Sequence, residues 1–200
     1  MKTFPLKKDT ILASLVIPLL FIMIVLSLSD ITHQTQNIEA TNTTQRTKSS
    51  SISELIQKGS TMLNSSKYEE ALVTFDQALK IDSRSVDALN GKGLTFNQLG
   101  KYEEAVTWFD KALSIDPNFV KALNNKGVTL SNLGKYAEAI TWFDKALSID
   151  PNFVDALYNK GGALGELGKY EEAIVWTDKA LALVPTNQND SDSILLLPNE

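Results

Sequence analysis

The side chains able to support covalent or metal chemistry are few and scattered. The 200-residue chain has no cysteine and a single histidine, His33. Thiolate metal sites, disulfides and cysteine nucleophiles are therefore excluded. His33 stands in a stretch of Thr, Ser, Gln and Asn, which supplies nothing to orient a lone imidazole as ligand or base. The acidic pairs Glu69-Glu70, Glu103-Glu104 and Glu171-Glu172 sit near the starts of expected helices, where they suit the helix dipole and require no catalytic role. The sequence shows no phosphate-binding glycine loop, metal-ligand cluster or paired acids beside a polar cleft. A protein with no catalytic residues, no cofactor and no metal is expected. A net charge of -5 and a pI of about 5.0 argue against nucleic acid as partner. Phosphate binding needs clustered Lys and Arg, and the longest basic run here is Lys7-Lys8.

The elements that must carry any remaining chemistry fall into zones. Residues 1–29 form a leader whose stretch 11–28 has no charge and is mostly apolar. As a helix those residues would span about 27 Å, close to the thickness of the hydrocarbon core of a bilayer. Lys2, Lys7 and Lys8 precede it, which predicts a repeat region outside the cytoplasm. Two readings stay open: a single-pass membrane anchor through residues 11–28, and a signal peptide cut near Ser29 at the small-x-small site Ser27-Leu28-Ser29, giving a secreted protein. Residues 30–51 lack apolar periodicity and are expected to be a flexible linker.

From residue 52 the sequence repeats with a period of 34, giving units 52–85, 86–119, 120–153 and 154–187. TWFDKALSIDPNFVKAL at 107–123 returns as TWFDKALSIDPNFVDAL at 141–157, with Lys121 against Asp155 as the one difference. A fixed period of this kind signals a repeat architecture. In the second unit a first helix is expected from about Asp87 to Leu99, punctuated by Gly100-Lys101. A second is expected from Tyr102 to Ile115, stopped before Asp116-Pro117. Apolar residues Leu89, Leu94, Phe96 and Leu99 on one helix and Ala105, Phe109, Ala112 and Leu113 on the other require adjacent units to stack.

Small and aromatic residues recur in register. Gly59, Gly93, Gly127 and Gly161 occupy position 8, and Tyr68, Tyr102, Tyr136 and Tyr170 position 17. Ala71, Ala105, Ala139 and Ala173 occupy position 20. Phe75, Phe109 and Phe143 follow at position 24, then Ala78, Ala112, Ala146 and Ala180 at position 27, and Pro117, Pro151 and Pro185 at position 32. This pattern resembles the tetratricopeptide repeat family over residues 52–187. The resemblance implies an all-α fold, an α-α superhelical solenoid of four 34-residue helix-turn-helix repeats, here preceded by one hydrophobic N-terminal helix. It also implies a concave groove lined by the first helices, and a scaffold that binds peptides or partner proteins.

Departures from the family pattern are Lys58, Lys92, Lys126 and Lys160 where leucine is usual, read as stems laid on apolar surface with the ammonium in water. Ser66 stands where the other units have glycine, Ser83 where they have proline, and Thr177 replaces the aromatic. Residues 188–200 form a tail with no convincing final helix.

Carried over from the family, the groove positions bear side-chain amides: Gln57, Asn90, Asn97, Asn124, Asn125, Asn132 and Asn159, with Tyr158 beside them. An amide offers one acceptor and two donors and can pair with both backbone groups of an extended peptide. The family's clamp for chaperone carboxylates needs Lys and Arg that this groove lacks. Trp108, Trp142 and Trp176, 34 residues apart, form a stripe on the second helices, read either as helix packing or as a second binding face. The expected function is a non-enzymatic interaction scaffold, membrane-anchored or secreted. The alternative is an assembly or accessory factor of an envelope complex, or an enzyme subunit without its own active site. A short epitope, a large client and a second copy of the array remain as occupants.

Overall fold

The computed structural model describes residues 8–184, with side-chain surroundings from residue 34 onward. Pro185 and the tail 188–200 lie outside the described residues. Among the described residues eight helices follow one another: α1 Lys8–Asn64, α2 Tyr68–Ile81, α3 Val86–Gln98, α4 Tyr102–Ile115, α5 Val120–Asn132, α6 Tyr136–Ile149, α7 Val154–Glu166 and α8 Tyr170–Leu183. The chain divides into two compact units, residues 1–50 and 51–200.

In the first unit two expectations are corrected. The single-pass membrane topology, and the transmembrane helix it needs, do not stand: among the described residues no helix is long and apolar enough to cross a membrane. Residues 11–28 do not form a separate helix of bilayer length but belong to the backbone of α1, a helix of 57 residues that continues through polar sequence. Side chains of residues 1–33 lie outside the described ones. The stretch 30–51, expected to be a flexible linker, is helical throughout, although residues 34–51 are exposed. Its threonines help to hold the helix: Thr41, Thr43 and Thr44 each donate from Oγ1 to the carbonyl four residues back.

The second unit is built of helix pairs, and local chemistry sets their ends. Gly100, Gly134 and Gly168 have φ of +72°, +73° and +76°, a region that residues bearing a Cβ enter at a cost. After α3, the Gly100 amide donates to the Asn97 carbonyl and the Lys101 amide to that of Phe96. This closes the helix with a left-handed C-terminal cap. Between pairs, the carboxylates of Asp82, Asp116 and Asp150 accept from the backbone amide two residues on. That fixes the turn in which Pro117 and Pro151 stand.

Packing follows the register of small and aromatic residues. Phe75, Phe109 and Phe143 are fully buried, as are the alanines at positions 20 and 27 of the first three units. Each ring lies where the Cβ of a first-helix residue would otherwise be: a Cβ at Gly59, Gly93 or Gly127 would come within 2.7 Å of it. Unit stacks on unit through Ala88, Ala122 and Ala156, all without exposed surface. These contacts merge the pairs into an all-α solenoid of four helix-turn-helix repeats.

Candidate functional site

The first helices carry the expected amides, and the structure joins them across units. Asn125 Nδ2 donates to Asn90 Oδ1 at 3.0 Å, and Asn159 Nδ2 to Asn124 Oδ1 at 3.0 Å. A link of 3.5 Å from Asn124 Nδ2 to Asn125 Oδ1 makes these one run across three units. A second rung joins Asn132 Nδ2 to Asn97 Oδ1 at 3.1 Å. Each rung spans 35 residues, because a residue at position 6 or 13 of one unit faces position 5 or 12 of the unit before.

This arrangement sorts the predicted site residues. Asn90 and Asn124 are buried, Asn97, Asn125 and Asn159 half-buried, and Gln57, Asn132 and Tyr158 exposed. Buried Asn90 and Asn124 spend their acceptors on the next rung, which satisfies polar groups that would otherwise be costly to bury. The ladder stops at Asn159, because the neighbouring position in its unit is Tyr158 rather than another amide. Asn159 Oδ1 makes no hydrogen bond among the described residues.

Beyond that last rung lies a hollow of about 250 Å³ between α5 and α7, lined by residues including Ser131, Asn132, Tyr158, Asn159, Gly162 and Glu166. Ser131 Oγ is buried there without a hydrogen-bond partner, an uncommon state for a buried hydroxyl. The α7 wall is bare: a Cβ at Gly162 or Gly165 would meet nothing within 4 Å. Packing thus gives no reason for two interior helix glycines, each costing about 1 kcal/mol relative to alanine. Gly162 and Gly165 hold positions 9 and 12 of their unit, groove positions carried over from the family, where the other units have larger side chains (Val128 and Ser131 in the third).

The tryptophan stripe has a different environment. Lys92 and Lys111 lie on the Trp108 ring, each 3.7 Å from a ring centroid. Lys126 and Lys145 flank Trp142 at 3.7 and 3.8 Å, and Lys160 and Lys179 flank Trp176 at 3.5 and 4.1 Å. Lys92, Lys126 and Lys160 also pair with Asp76, Asp110 and Asp144 of the preceding unit. The three half-buried indoles are each sandwiched by two lysines of their own unit, one of which also bridges to the unit before.

Sequence and fold comparisons agree with this geometry. Family models described as tetratricopeptide repeat match residues 120–153 and 142–175, and one described as TPR repeat matches 93–134. No curated protein matches the chain. Among solved structures, one titled crystal structure of MamA is similar with a TM-score of 0.58 and 20% identity, over 72% of this chain and 81% of that one. A MamA RS-1 ArsTM double mutant gives 0.57 and 27% over 68% and 76% of the two chains. Among the described residues no cluster of His, Cys, Asp or Glu could hold a metal. Four helix pairs in one register and three family models over residues 93–175 agree that this part of the chain is similar to tetratricopeptide repeats.

Proposed function

We propose that this protein is an assembly or accessory factor that holds an extended segment of a partner protein against α5 and α7. The observation that carries this reading is the hollow at the end of the amide ladder. Its bare α7 backbone lets another chain approach closely, while Asn159 Oδ1 stands ready to pair with the segment's polar groups. Tyr158 and Val128 supply apolar contact at the same place. The remainder of the ladder braces the concave face and keeps these groups in position.

The experiment is selection of peptides from a displayed random library on the immobilised full-length chain. Selected peptides bind the parent protein and lose at least about tenfold in affinity, or roughly 1.4 kcal/mol, on Gly162→Leu, which fills the hollow. Lys111→Ala, on the outer face, leaves their affinity unchanged. Equal affinity for parent and Gly162→Leu would remove the groove from consideration. Loss on Lys111→Ala alone would transfer the function to the tryptophan stripe.

A further inference from the structure

We infer, on the footing of the groove binding proposed above, that the partner segment is basic, its Lys or Arg side chains held by Asp155 and Glu166 of α7. Neighbouring copies of one helix, α5 and α7, differ at six of 13 positions. Ala163, in place of Thr129, is buried, as that threonine is. The other five, Asp155, Tyr158, Gly162, Gly165 and Glu166, are all exposed or half-buried. Units that otherwise repeat each other therefore diverge where a ligand would touch them, not where helices pack. The exchange of Lys121 for Asp155 and of Asn132 for Glu166 removes one positive charge and adds two negative ones.

Asp155, Tyr158, Gly162 and Glu166 are spaced by three, four and four residues and so share one side of α7. A carboxylate stands at each end of this stripe, with an exposed ring and bare backbone between them. Among the described residues no Lys or Arg pairs with either carboxylate. Asp155 suits the positive end of the helix, but Glu166 stands at its negative end, where a carboxylate is unfavourable. The equivalent Asn132 bonds to Asn97, a rung that Glu166 does not make among the described residues. A cation from a partner would offset both losses. Glu166 is also the one charged residue in the lining of the hollow of about 250 Å³. There Asn159 Oδ1 adds an acceptor for an ammonium or guanidinium, and the Tyr158 ring a face for it. The helical rise sets the two carboxylates about 16 Å apart along the axis. In an extended segment, side chains four or six residues apart point the same way and lie about 13 or 20 Å apart. Flexible Lys or Arg stems close the difference.

Two displayed peptide libraries, identical except that one omits Lys and Arg, test this on the immobilised full-length chain. Binders are expected from the complete library, carrying two basic residues four to six apart. The library without Lys and Arg yields none within about tenfold of their affinity. Asp155→Asn with Glu166→Gln weakens the selected peptides at least about tenfold and flattens the dependence of affinity on salt. The urea midpoint of that variant does not fall, because both side chains are exposed and one opposes the helix dipole. A lower midpoint would assign the carboxylates to the fold and overturn the proposal. Peptides without Lys or Arg that bind as tightly, and weaken on Gly162→Leu but not on the charge-removing pair, overturn the basic partner and leave groove binding in place. Peptides indifferent to Gly162→Leu remove the groove itself, and the basic partner with it.

Discussion

Lys92 Nζ lies 2.6 Å from Asp76 Oδ1 and 3.7 Å from the centroid of a Trp108 ring, tying the second unit to the first. From sequence this lysine was expected to keep its ammonium in water. Instead its side chain is 8% exposed. The aspartate sits on the preceding unit and the tryptophan on the lysine's own second helix, so one cation engages both sides of a junction. The same clamp recurs with Lys126, Asp110 and Trp142, and with Lys160, Asp144 and Trp176.

The two ends of the clamp differ in burial, and this sets an order of mutational cost. Lys126→Met keeps the stem packed and leaves behind a half-exposed carboxylate that water can solvate. A loss of about 1 kcal/mol is expected, the scale of a partly exposed pair with a cation–π contact. Asp110→Ala instead strands a buried ammonium, and about 2–3 kcal/mol is expected. Urea denaturation of the two variants measures the order; a larger loss for Lys126→Met would show that the carboxylate does not hold the lysine.

Glycine at position 8 is a steric requirement. A Cβ on Gly93 would stand 2.5 Å from Phe109 Cε1, and that ring is fully buried with no room to retreat. Overpacking of this kind costs about 1–3 kcal/mol. Gly93→Ala should lower the unfolding midpoint accordingly, although alanine is the better helix former. An unchanged midpoint would mean that the ring can shift freely.

How much of this could be read in advance depended on whether the signal repeated. Tyr102–Ile115 came out as expected, and the first helix of that unit as Val86–Gln98, because glycine and proline punctuate the second, third and fourth units alike. The carboxylate partner of Lys92 does leave a trace in the sequence, since Asp76, Asp110, Asp144 and Asp178 share one register, but it belongs to the preceding unit and not to the helix of the lysine. The ladder residues were named, but their pairing across units was not foreseen. A 35-residue link is one residue out of the 34-residue register, so comparing like positions does not reveal it. The helix over 30–51 left no apolar periodicity to read, since its residues from 34 on are exposed.

Ser66 is the one described non-glycine residue with positive φ, +58°, and it holds the place that Gly100, Gly134 and Gly168 take in later units. Its amide and that of Lys67 make the same capping bonds, to Leu63 and Met62. A Cβ in this conformation costs about 1 kcal/mol. Ser66→Gly should therefore stabilise the first unit by roughly 0.5–1 kcal/mol, offset in part by the freer unfolded chain. Thermal unfolding reports the gain, and a fall in stability would mean that the serine hydroxyl contributes more than the backbone strain removes.

Gly162 and Gly165 should behave in the opposite way to Gly93. No neighbour lies within 4 Å of a Cβ at either position, so alanine brings only its helix propensity, about 0.5–1 kcal/mol per site. The double variant Gly162→Ala, Gly165→Ala is expected to unfold at higher urea than the parent. If the bare α7 backbone serves close approach of a partner segment, the same variant binds the library-selected peptides more weakly. The two added methyls occupy the surface that the peptide backbone would contact. Stability and affinity thus move apart, which a purely structural role for the glycines does not produce. A variant that gains stability and keeps full affinity would show that the partner segment does not contact this wall, and would leave the two glycines without a functional account.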